Sequence, residues 1–116
     1  LDEEHELFFS EEIDEIDLYF DEDATLNFYR FIQECITNVL KHAHAKAVAI
    51  SIEKINRDIL VTIRDNGKGF EVSERKKQHS LGLKTMAERI KIMKGNLQIE
   101  SEIDKGTTIK AIIPIP

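Results

Sequence analysis

Residues 47–64 read AVAISIEKINRDILVTIR. Val48, Ile50 and Ile52 alternate with smaller or polar residues, and Ile59, Val61 and Ile63 hold every second position of the next run. Period-two alternation is the mark of a strand with one buried face. Two such runs, 47–55 and 58–64, stand either side of Asn56-Arg57 and describe a β-hairpin. The pair lacks the glycine favoured at the second turn position, so the turn type stays open. A central hairpin makes a sheet the organising layer, and its apolar face needs a cover.

The cover lies on both sides in sequence. Upstream, Leu26, Phe28, Phe31, Ile32, Cys35, Ile36, Val39, Leu40 and Ala43 recur at three- and four-residue steps. That spacing predicts a long amphipathic helix over 24–43, with Asp23 as its N-cap. Downstream, a polar loop spans 66–82. A second helix follows at 83–94, with Leu83, Met86, Ala87, Ile90 and Met93 on one face and Gly95-Asn96 as its C-terminal stop. Residues 97–102 and 107–115 form a second hairpin about Lys105-Gly106. Residues 13–20, IDEIDLYF, predict one more strand ahead of the long helix.

The expected fold is therefore an α/β (α+β) two-layer sandwich. A mixed, mostly antiparallel sheet of about five strands carries its helices on one face. Direct hairpins replace most crossovers, which excludes a doubly wound dinucleotide fold. The division expected is an acidic linker over 1–12 and a single domain over 13–116.

Composition narrows the function. The 116 residues carry a net charge of −6, but residues 1–23 hold twelve acids and no lysine or arginine. The remainder holds ten acids and sixteen bases, a net of +6. The overall acidity argues against general nucleic-acid binding, while the basic body suits an anionic ligand. No apolar run approaches the roughly 20 residues of a membrane span. The acidic start lacks the basic flank and apolar core of a signal peptide. Leu1 in place of methionine reads as a fragment of something longer. One cysteine, Cys35, excludes an internal disulfide and a cysteine-rich metal site, and reads as a buried thiol.

Three places carry candidate chemistry. On the long helix, Glu34, Asn38, Lys41 and His42 recur at helical spacing and share a face opposite the apolar stripe. Asn38 offers a neutral oxygen to Mg²⁺, Glu34 accepts a proton or holds a metal-bound water, and Lys41 and His42 suit phosphate oxygens. An ordinary solvated helix surface also presents such a set. DNGKGF, residues 65–70, leaves a strand directly; Asp65 there can accept hydrogen bonds from a donor such as an adenine amino group. Gly67 and Gly69 permit close backbone approach, although Asp-Asn-Gly is equally an ordinary turn. SLGLKTM, residues 80–86, sets Gly82 at a helix start, where backbone N–H groups suit phosphate. Neither GxGxxG nor GxxxxGK[ST] is present.

Together, in this order, these pieces resemble the GHKL ATPase superfamily. The match is to the catalytic, ATP-binding domain of bacterial two-component sensor histidine kinases, with its Bergerat fold. QECITNVLKHAHA (residues 33–45) is similar to that family's asparagine box, and DNGKGF to its first glycine box. SLGLKTMAERI (80–90) is similar to its second glycine box, and GTTIKAIIP (106–114) to its glycine–threonine element. The QExxTNxxKHA form and the GLxxMxER helix resemble the subfamily of nitrate sensors and the lipid-fluidity thermosensor.

The resemblance implies ATP and Mg²⁺ as ligands. Asn38 would coordinate Mg²⁺, and Glu34 would be catalytic, polarising the phosphoacceptor imidazole. Lys41 and His42 would approach the phosphates. Asp65 would bind the adenine amino group, assisted by Thr107. Gly67, Gly69 and Phe70 would shape the adenine pocket, residues 71–81 would form a mobile lid, and Gly82 and Leu83 would support the phosphates. Ser80 stands where the second glycine box normally begins with glycine.

The implied partners are the phosphoacceptor and dimerisation domain of the same kinase and, indirectly, a response regulator. No nucleic acid, no membrane contact by this domain and a monomeric fragment are expected. The expected setting is the cytoplasm, or the cytoplasmic part of a membrane-bound sensor. His5-Glu6-Leu7 echoes a phosphoacceptor motif but lies only 29 residues before Glu34, so it reads as a linker histidine. Two other readings share these boxes: a GHKL serine kinase of the anti-sigma-factor type, and a degenerate GHKL module that only binds.

Overall fold

A computed structural model describes residues 8–16, 19–43, 45–69 and 82–116. Its elements run β1 (Phe8–Ile13), α1 (Glu22–Asn38), a π-helical turn (Val39–Ala43), β2 (Ala47–Ile55), β3 (Asp58–Asp65), α2 (Leu83–Ile92), β4 (Asn96–Glu102) and β5 (Gly106–Pro114). The five strands form one sheet in the order β1-β2-β3-β5-β4. β1 pairs parallel to β2, and every other pair is antiparallel. The expected mixed, mostly antiparallel five-stranded sandwich is what forms.

The hairpin folds as its alternation requires. Ile55 faces Asp58 across a two-residue turn in which Asn56 takes a φ of 56°. Val48, Ile50, Ile52, Ile59, Val61 and Ile63 are all buried, and β5 continues the pattern with Ile109, Ala111 and Ile113. Phe28, Phe31, Cys35 and Val39 press onto this surface from the first helical segment, as do Leu83, Met86, Ile90 and Met93 from the second. Burying each large side chain contributes about 1.5–3 kcal/mol. The predicted stripe was too wide: Leu26 and Leu40 are 51% and 64% exposed, and Ala87 is exposed too. Cys35 is buried with its Sγ 3.8 Å from Met86 Sδ, and burial pushes its thiol pKa far up. No described helix is long and apolar enough to cross a membrane.

Four details differ from expectation. The first strand is Phe8–Ile13, not 13–20. Its register runs from Phe8 opposite Ala47 to Ile13 opposite Ile52, and Asp14 ends it with one further bond to the Ile52 carbonyl. Ile13 and Ile16 are three residues apart, a poor fit to a strand. Ile16 is buried from an irregular stretch, and Tyr19 and Phe20 pack against the same core. The N-cap is Asp21 rather than Asp23; its carboxylate accepts the Ala24 amide at 2.8 Å. That places Glu22 and Asp23 in the first turn, where the helix dipole favours acids.

The helix is α only through Asn38 and continues as a π turn. No glycine or proline marks that change. Finally, α2 stops through Lys94, whose φ is 63°, not through a left-handed Gly95. The Gly95 amide donates to the Ile90 carbonyl and that of Lys94 to the Lys91 carbonyl, which makes a Schellman motif. Gly95 is required for another reason: a Cβ there would lie 2.6 Å from the Ile112 carbonyl oxygen.

Candidate functional site

The inward rows of the sheet run out at one end, and chemistry begins there. Asp65 occupies the next inward position after Ile63, and Thr107 the one before Ile109. They are direct cross-strand partners. Val48 flanks Asp65 on β2, and Ser101 flanks Thr107 on β4. The last row across four strands is thus Val48, Asp65, Thr107 and Ser101. Asp65 and Thr107 are the buried polar residues among those described.

Asp65 accepts the Gly67 amide at 2.8 Å through Oδ1. Burial raises its carboxyl pKa above the ordinary 3.8, opposed by the backbone N–H groups of Gly67 and Thr107. The Thr107 hydroxyl lies 2.8 Å from Ser101 Oγ, which also reaches the Gly106 carbonyl at 3.2 Å. Sequence reasoning passed over Ser101. Its only signal was position, as the third inward residue of β4 opposite Thr107.

The loop after β3 is fastened in two places. Asn66 Oδ1 accepts the amides of Lys46 and Ala47, each at 2.9 Å. This ties the DNG turn to the segment that follows the π turn. Gly69 takes a φ of 64°, and a Cβ there would collide with the Glu102 carbonyl. The first glycine box is therefore packed against the end of β4. A cleft of about 460 Å³ at this end of the sheet is lined by Asp65, Asn66, Gly106 and Thr107 together with the outward row Ser10, Ala49, Arg64 and Thr108, so it reaches the face of the sheet away from the helices.

A second cleft, of about 430 Å³, lies between the two helices. Glu34 and Asn38 line it from α1, Gly82 and Thr85 from the start of α2, and Arg89 from the middle of α2. The helical spacing therefore does bring Glu34 and Asn38 together, and the asparagine box meets the second glycine box. Gly82 is the left-handed N-cap of α2, with a φ of 70°. Leu83 sends its side chain into the core and does not line this cleft. Lys41 sits on the π turn, is exposed and does not line this cleft. The switch to π geometry breaks the α-helical spacing on which its shared face with Asn38 was based. The His42 side chain, Phe70, the lid 71–81, Ser80 and His5 lie outside the described residues.

Arg89 is the site's unforeseen member. Its Nε donates to Glu34 Oε1 at 2.7 Å, across the gap between helices. The two are 55 positions apart, so no local spacing rule joins them.

Residues 23–116 match the family model HATPase_c, described as "Histidine kinase-, DNA gyrase B-, and HSP90-like ATPase". The chain is 43% identical over 96 residues to the signal transduction histidine-protein kinase/phosphatase DegS of Brevibacillus brevis, covering 83% of this chain and 25% of that one. It is 43% identical over 91 residues to the sensor histidine kinase YdfH of Bacillus subtilis, covering 77% and 22%. The chain thus spans about a quarter of the length of these relatives.

Among solved structures, the blue-light activated histidine kinase EL346 of Erythrobacter litoralis superposes with a TM-score of 0.79. It is 18% identical and covers 94% of this chain and 35% of that one, a likeness of fold. The ATP binding domain of PrrB from Mycobacterium tuberculosis gives 0.67 at 25% identity, over 78% and 68%.

The chain belongs to the HATPase_c family. Within it, the chain is a GHKL-type catalytic domain of a sensor histidine kinase.

Proposed function

We propose that this domain binds Mg²⁺-ATP and passes the γ-phosphoryl group to a histidine on a separate phosphoacceptor and dimerisation domain of a longer kinase. A response-regulator aspartate would then receive it. One observation carries the reading: Glu34, Asn38 and the start of α2 share a cleft, while Asp65 and Thr107 end the buried rows of the same sheet.

Asp65 accepts the adenine amino group, and Thr107 completes that end with its hydroxyl. Gly67 and Gly69 hold the loop that borders the base. The α2 backbone from Gly82 and Leu83 supports the phosphates, with His42 and Phe70 as further contacts. Asn38 supplies a neutral side-chain oxygen, the hard donor that Mg²⁺ takes alongside phosphate oxygens and water. The metal, when bound, neutralises phosphate charge.

Phosphoryl transfer needs positioning and charge neutralisation above all. The bond between γ-phosphorus and the β–γ bridging oxygen breaks, and its electron pair leaves with ADP. A bond forms from phosphorus to an imidazole nitrogen. Glu34 polarises that imidazole by accepting the proton of its other nitrogen. The reaction takes place in the cytoplasm, where ATP is at hand.

Titration of an ATP analogue tests the binding half. With Mg²⁺ present, Asn38→Ala and Asp65→Asn should each weaken binding by roughly 10- to 150-fold, the worth of a hydrogen bond or ligand to a charged group. Unchanged affinity in both removes the reading. Autophosphorylation of the full-length kinase tests the transfer half. Its product should be acid-labile, as phosphohistidine is, and Glu34→Gln should slow its formation about 100-fold or more. Acid-stable phosphoserine would point instead to a serine kinase.

A further inference from the structure

Arg89 is held at both ends of its guanidinium. Nε donates to Glu34 Oε1 at 2.7 Å, and Nη1 donates to Asn27 Oδ1 at 3.2 Å. Asn27 Nδ2 returns a bond to the Arg89 carbonyl at 2.9 Å. Asn27 and Glu34 are seven residues apart on α1, two turns along one face. Arg89 therefore lies along that face and is fixed at two points on it.

Stability alone is a weak reason for this arrangement. The side chains of Arg89 and Glu34 keep 25% and 30% of their exposure, and partly solvated ion pairs contribute little. The choice of partner is more informative. Among the acids of α1, Arg89 takes the one that lines the cleft, and Arg89 lines it too. A planar guanidinium fixes a carboxylate's direction as well as its charge, which a lysine ammonium does not.

We propose that Arg89 is a positioning residue for phosphoryl transfer. It orients the Glu34 carboxylate toward the acceptor imidazole, and Asn27 in turn holds Arg89. The proposal rests on the role given to Glu34 above. It also couples the two halves of the cleft. Gly82 and Arg89 ride on the same helix, seven residues or roughly 10 Å apart. Because α2 is one continuous helix, any displacement of it would carry the phosphate-side backbone and the Glu34 clamp together.

The test is steady-state autophosphorylation of the full-length kinase with ATP and Mg²⁺, for Glu34→Gln, Arg89→Ala, Arg89→Lys and Asn27→Ala. Arg89→Ala should cut the maximal rate about 10- to 100-fold while the KM for ATP stays within about threefold, since a positioning group acts on the transfer step. Arg89→Lys should keep part of the rate, and Asn27→Ala should lose less than Arg89→Ala. Added methylguanidinium should restore Arg89→Ala severalfold but not the Arg89→Ala/Glu34→Gln double variant. That double variant should be no slower than Glu34→Gln alone, because the two act as a unit.

If Glu34→Gln is slow and Arg89→Ala transfers at the wild-type rate, the positioning role is wrong and the functional reading stands. If Glu34→Gln itself transfers normally, that reading falls and takes this one with it. Should Arg89→Ala melt below the assay temperature, Arg89→Lys decides. A raised KM with an undiminished maximal rate would overturn the proposal.

Discussion

At Asp65 two demands oppose one another. The carboxyl is buried beyond the last inward isoleucine of β3, and desolvation raises its pKa against the two backbone N–H groups that face it. A raised folded-state pKa means that the folded domain holds the proton more tightly than the unfolded chain does. Ionisation therefore subtracts from stability. The loss grows as pH rises from the unfolded value through the folded one and is complete above it. We predict that Asp65→Asn melts higher than wild type near pH 7, and that the gap closes as pH falls toward 3.8. The same variant should bind ATP poorly. Thermal melts across pH check the first part, and a lower melting point at pH 7 would mean that the lost amide bonds outweigh the relieved charge. The place of Asp65 at the end of a strand, ahead of a turn, was readable from a strand-like run followed by Asp-Asn-Gly. The contacts of Asn66, Ser101 and Arg89 were not, because each depends on what another segment brings beside it. Asn66 looked like a turn residue and is also a brace, bonded to the amides of Lys46 and Ala47.

Elements were legible where one local pattern sufficed. Both hairpins and both helices follow from alternation and three-to-four spacing. β1 was misplaced because a parallel edge strand takes its register from a partner on the far side of a helix. Its six residues pair with β2, yet Glu11 and Glu12 lie within it and Asp14 and Glu15 follow it, acids that strand scales disfavour. Deleting residues 1–13 should leave the inner face of β2 covered by the helices but strip its outer edge. At about 0.5–1.5 kcal/mol for each lost hydrogen bond, we expect a loss of roughly 3 kcal/mol or more. The bared edge should also promote association. Urea melts and light scattering of the truncated chain measure both, and an unchanged midpoint would show that β1 adds nothing. The π turn had no sequence signal at all, yet it follows directly on Asn38, the residue with most at stake in the direction α1 presents.

Across the whole molecule, the site residues gather where the inward rows end: the C-terminal end of β3, the start of β5 and the helix-flanked cleft. At the opposite end of β3, Asn56 and Arg57 make an exposed two-residue turn, held by the Ile115 amide on the Arg57 carbonyl and by Lys54 Nζ on the Asn56 carbonyl. The eight residues of β3 put roughly 25 Å between that turn and Asp65. A sequence can change at one end without being felt at the other. Splicing a short Gly-Ser peptide between Asn56 and Arg57 should shift ATP affinity less than about twofold, since lengthening a surface loop costs little. The same peptide between Lys105 and Gly106 should weaken binding severely, because Gly106 abuts the Asp65 carbonyl. The far turn is thus a natural port for a reporter: a dye or a split-protein fragment grafted there would ride on the same sheet as the nucleotide while leaving its pocket alone.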